Sequence, residues 1–85
     1  MTLTEPDASA TAKQTTLDAR GLKCPMPIVK TAQAIKNVAS GELLEVLTTD
    51  PGAVADFAAW SRSTGNELVE QTTADGVYRF VLRRK

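Results

Sequence analysis

Among the residues of this chain able to do covalent chemistry, Cys24 is the only thiol and there is no histidine. Cys24 stands between Lys23 and Pro25, with Arg20 four residues upstream and Pro27 just beyond. A cysteine just before a helix meets unpaired backbone amides and the positive end of the helix dipole. Cationic neighbours act in the same direction, and the thiolate is the reactive form. The segment therefore predicts an accessible thiol of lowered pKa, with Arg20 and Lys23 as its cationic surroundings. Pro25 and Pro27 would stiffen the first helical turn. The opposite reading is a small core residue, since free cysteine is among the most buried types. Spacing alone leaves both open.

The rest of the inventory narrows the chemistry. Without histidine, Ser-His-Asp and Cys-His catalysis cannot be assembled from this chain. One cysteine excludes an internal disulfide and a cysteine-only metal cage. Ten basic and ten acidic residues balance, which argues against a general nucleic-acid binder. No apolar stretch reaches the ~20 residues of a membrane span, and Met1–Gln14 has no apolar signal-peptide core. An unpaired cysteine fits a reducing cytoplasm.

The elements that must hold Cys24 follow from pattern. Residues 1–14, rich in Thr, Ala and Ser, read as a disordered tail, and 15–85 as a single domain. Thr15–Ala19 reads as a strand with Leu17 and Ala19 on one face. Pro25 suits a first helical turn. Ile28, Ala32, Ile35 and Ala39 make an apolar stripe for a helix from about Cys24 or Pro25 that Gly41 ends. Glu42–Thr49 is a second strand. Asp50-Pro51-Gly52 starts a second helix, with Asp50 as its cap, and Gly65 closes it. Asn66–Thr73 and Val77–Arg84 are strands joined by Ala74-Asp75-Gly76, an Asp-Gly hairpin signal. The order β-α-β-α-β-β predicts a two-layer α/β sandwich, a mixed four-stranded sheet with both helices on one face. Phe57 and Phe80 should meet in its core, with Arg79 and Arg83 on the open face. Lys30 reads as a solvated charge and Arg83-Arg84-Lys85 as a solvated end. Trp60 reads equally as core or as a docking aromatic.

Leu17-Asp18, Gly21-Leu22, Cys24-Pro25-Met26-Pro27, Ser40-Gly41-Glu42 and Asp50-Pro51 together resemble the TusA/SirA-type sulfur-carrier family over residues 15–85. The resemblance implies the same two-layer fold. It implies a sulfurtransferase that works as a stoichiometric carrier: Cys24 accepts sulfane sulfur as a persulfide and passes it to an acceptor thiol, with no cofactor. It suggests a cysteine desulfurase or rhodanese-like protein as donor and a DsrE-type protein as acceptor; the balanced charge and the lack of an apolar span point to no membrane or direct nucleic-acid partner. It also suggests tRNA thiolation with related biosynthesis, or oxidative sulfur metabolism, as the destination. Some relatives carry another cysteine near the second helix; Phe57-Ala58-Ala59-Trp60 has none. The rival expectation is a regulatory or docking module in which the cysteine is dispensable.

Overall fold

A computed structural model describes residues 14–85. The tail expectation for 1–14 falls outside these residues except at Gln14, which begins the first strand. The elements are β1 (Gln14–Asp18), α1 (Met26–Ala34) followed by a 3-10 turn (Ile35–Asn37), β2 (Leu43–Thr48), α2 (Ala53–Thr64), β3 (Glu67–Ala74) and β4 (Val77–Arg83). The sheet order is β1-β2-β4-β3. β1 and β2 are parallel, while β4 is antiparallel to both β2 and β3. This is the mixed four-stranded sheet with two helices that the sequence predicts.

Alternation along the strands divides the sheet into two faces. Leu44, Val46, Phe80 and Leu82 point to the helices and are fully buried, packed with Phe57, Ala53, Ile35 and Val38. The Phe57 and Phe80 rings stack with centroids 4.4 Å apart, which ties α2 to the central strand β4. Trp60 is half-buried against the same cluster. On the open face a polar row crosses all four strands. Thr16 of β1 donates to Glu45 of β2, Arg79 of β4 pairs with Glu45, and Arg79 also reaches Glu70 of β3 at 2.9 Å. Val81, on the same face, is buried among them. Arg83 pairs with Glu67.

Asp75 and Gly76 both take positive φ, at 53° and 77°. That is the two-residue turn whose twist suits a hairpin. Within β3 the pairing to β4 slips between Leu68 and Glu70, so Val69 bulges from the edge strand and is exposed.

The first helix departs from its predicted outline. Its buried stripe is Pro27, Thr31 and Ile35, continued by Val38, one residue out of step with the Ile28–Ala32 reading. Thr31 is fully buried because its hydroxyl donates to the Pro27 carbonyl at 2.8 Å, which satisfies the polar group within the helix. The α-helix also stops well before Gly41. Arg84 ties down the segment that follows. Its guanidinium donates to the Val38 carbonyl at 2.6 Å, and its backbone exchanges bonds with Gly41 and Glu42. Val38 is thereby extended, at φ −97° and ψ 131°. Arg84 is thus a structural latch, not a solvated end.

Candidate functional site

β1 and β2 run parallel side by side, so the loops leaving their C-terminal ends emerge at the same edge of the domain. In sheets of this kind, binding and reaction sites gather at that edge. The β1–α1 loop carries Cys24, and the β2–α2 loop carries Thr49 and Asp50. Backbone bonds lock the two together: the Ala19 amide reaches the Leu47 carbonyl at 2.7 Å, and the Gly21 amide reaches Thr49 Oγ1 at 3.0 Å. Gly21 turns the chain at φ +83°, a conformation that side chains rarely adopt. Between the loops lies an open groove of about 480 Å³ lined by Gly21, Leu22, Lys23, Cys24, Thr49, Asp50 and Pro51.

Cys24 is exposed, so the core-residue reading of this thiol fails. It stands one residue before Pro25, which caps α1. The Cys24–Pro25 peptide is cis. The Cys24 amide donates to Asp50 Oδ2 at 2.7 Å, and Asp50 Oδ1 accepts from the Gly52 amide at 3.1 Å. One carboxylate therefore holds the Cys24 backbone and shapes the turn into α2. α2 itself begins at Ala53, with Gly52 in the cap position. Asp50 thus acts across the site rather than as the formal cap the sequence predicts.

The thiol's electrostatics overturn the expectation of a lowered pKa. Cys24 Sγ donates to Asp56 Oδ2 at 2.8 Å. That bond requires the proton to stay on sulfur. With desolvation and the negative charges of Asp56 and Asp50, it pushes the Cys24 thiol above its ordinary range. Arg20 does not offset this. It folds back in a two-pronged pair on Asp18, at 2.8 and 2.9 Å, and the exposed Asp18 carboxyl is drawn down to about 2. The helix start also offers fewer amides than expected. Pro25 and Pro27 have no N–H, and the Met26 amide is taken by the Lys23 carbonyl at 2.8 Å. Lys23 is exposed and lines the groove, Pro25 is exposed at the cap, and Pro27 is buried beneath the first turn. Lys30 is exposed on α1.

Asp56 is the site residue that sequence reasoning missed, and Asp50 was read only as a cap. The signal for both was topological. Once β1 and β2 are placed parallel and adjacent, acids at the start of α2 must lie beside the loop before α1.

Residues 15–84 match the family model described as Sulfurtransferase TusA. The chain is 50% identical over 70 residues to a putative sulfur carrier protein of Halobacterium salinarum, covering 81% of this chain and 86% of that one. It is 48% identical to the putative sulfur carrier protein YrkI of Bacillus subtilis, over 80% of this chain and 91% of that one. It is 43% identical to the sulfur carrier protein TusA of Allochromatium vinosum, over 80% of this chain and 90% of that one. Among solved structures, a SirA-like protein of Desulfitobacterium hafniense superposes with a TM-score of 0.72 at 21% identity, covering 81% of this chain and 95% of that one. That likeness concerns the fold.

Proposed function

The chain belongs to the TusA sulfurtransferase family, and from that premise we propose that it is a sulfur carrier whose working atom is Cys24 Sγ. In the loading step, the Cys24 sulfur attacks the outer sulfur of a donor persulfide. A new S–S bond forms on Cys24, the donor's S–S bond breaks, and the donor leaves as a thiol with the proton that Cys24 gives up. Unloading is the same exchange onto an acceptor thiol. The chemistry needs an accessible sulfur and no metal or organic cofactor.

The observation that carries this reading is the exposed thiol, the only one in the sequence, seated at the mouth of a groove between two βα loops. With no second cysteine in the chain to expel the sulfur, the persulfide on Cys24 persists until a partner thiol arrives. The family premise supports a cysteine desulfurase or rhodanese-like donor and a DsrE-type acceptor. The sulfur then serves tRNA thiolation and related biosynthesis, or oxidative sulfur metabolism. A lone thiol handled this way belongs in a reducing cytoplasm. No helix among the described residues is long and apolar enough to cross a membrane.

The test is loading. Incubated with a cysteine desulfurase and cysteine, the protein should gain the mass of one sulfur atom, and reductant should remove it. Cys24→Ser should gain nothing while keeping the wild-type fold by circular dichroism. Sulfur uptake by the serine variant would refute the carrier mechanism and favour a docking module in which the thiol is dispensable.

A further inference from the structure

The feature that carrier chemistry leaves unexplained is a carboxylate placed against the very sulfur that must attack. Cys24 Sγ lies 2.8 Å from Asp56 Oδ2, and the Cys24 amide is bound by Asp50 at 2.7 Å. The charged groups around the thiol are Lys23 of its own loop, Asp50 of the β2–α2 loop and Asp56 of α2. Arg20 is turned away onto Asp18. Among the described residues, neither Asp50 nor Asp56 has a salt-bridge partner. Asp56 sits in the first turn of α2, at the end of the helix where the dipole attracts negative charge. The anion beside the sulfur is therefore a built feature, and it is unpaired within the domain.

We infer that Asp56 is a gate that holds Cys24 as a thiol in the free protein and opens when a sulfur donor places a lysine or arginine on the carboxylate. The inference rests on Cys24 being the sulfur-bearing residue. A cation on Asp56 takes over the lone pairs that now accept the S–H, and cancels the charge that opposes thiolate formation. The released proton passes to the donor's leaving thiolate, so the exchange balances without an added acid or base. A carboxylate far more acidic than a thiol is a weak general base for it, so repulsion and hydrogen bonding are its effective means of control. The raised thiol pKa accords with this geometry. The consequence is selective reactivity. Neutral and anionic electrophiles meet a protonated sulfur beside a negative charge, whereas a partner with a cation next to its reactive sulfur meets a nucleophile.

Small probes test the gate without any donor protein. Iodoacetamide alkylation of Cys24 should show a lower midpoint pH in Asp56→Asn than in wild type, with a several-fold faster rate at neutral pH. Cystamine, a dicationic disulfide, should exchange with wild-type Cys24 about tenfold faster, relative to the neutral bis(2-hydroxyethyl) disulfide, than it does with Asp56→Asn at low ionic strength. Asp56→Glu should restore the cystamine preference, and high salt should erase it in the wild-type protein, which needs no variant to fold. An alkylation midpoint in Asp56→Asn equal to or above wild type would overturn the gate. So would a cystamine preference that ignores both salt and residue 56. Failed sulfur loading with these probe results intact sinks the carrier reading alone. Normal loading with charge-blind exchange sinks the gate alone.

Discussion

The two helices begin with the same punctuation, Cys24-Pro25 for α1 and Asp50-Pro51 for α2, at the ends of neighbouring parallel strands. Their chemistry is opposite. The α1 start has no acid in its first turn. The α2 start has Asp50 on the Gly52 amide and Asp56 in its first turn. The acids of the second start then serve the first: one binds the Cys24 amide, the other the Cys24 sulfur. A helix N-terminus favours anions in general. It does not follow that a cysteine there is ionised, because carboxylates reach the shared space first.

The largest expected effect comes from unseating the helix that supplies those acids. Phe57 follows Asp56 directly and stacks on Phe80. Phe57→Ala should cost about 3–5 kcal/mol of unfolding free energy in a denaturant titration. Near-normal stability would mean that α2 is anchored by something other than that stack. Next is the link between the two starts. Asp50→Ala frees the Cys24 and Gly52 amides and should cost about 1–3 kcal/mol, while Asp50→Asn, which keeps an acceptor oxygen, should cost less. Equal losses for the two variants would make charge, not hydrogen bonding, the reason Asp50 joins them.

The smallest effect concerns the cation that sequence proximity assigns to the thiol. Arg20→Ala should leave the pH midpoint of Cys24 alkylation unchanged, because Arg20 is bound to Asp18. Its stability signature lies elsewhere. Asp18 has a folded-state pKa near 2, below its unfolded value. The stability it contributes is present above the ordinary carboxylate range and is lost as pH falls toward about 2. The stability difference between wild type and Arg20→Ala should therefore shrink over that acid window. A midpoint for Cys24 that moved with Arg20 would return the arginine to the site.

Much of the architecture was legible because it rests on local signals. Asp75-Gly76 marked the hairpin, Gly65 the end of α2, and Phe80 against Arg79 and Arg83 the two faces of β4. Cys24 stood out as the only thiol, placed just before a helix start. What escaped was decided by distant partners. Arg20 and Lys23 are near Cys24 in sequence, yet the group against the sulfur comes from residue 56. Thr31 lay outside the Ile28, Ala32, Ile35 and Ala39 stripe, and the bond to Pro27 that lets it be buried follows only from the helix. The end of α1 was read from Gly41, when Arg84 at the far end of the chain had already claimed the Val38 carbonyl.

The bulge at Val69 bears on how such a domain behaves in a crowd. The sheet ends at β3 on one side, and an unprotected edge strand is a template on which copies of a chain stack into extended sheets. The slip between Leu68 and Glu70 breaks the regular row of amides and carbonyls that an incoming strand would need, and sharpens the local twist. The bulge thus works against fibrous stacking along β3, at the edge of the sheet where Val69 would otherwise sit in a regular ladder.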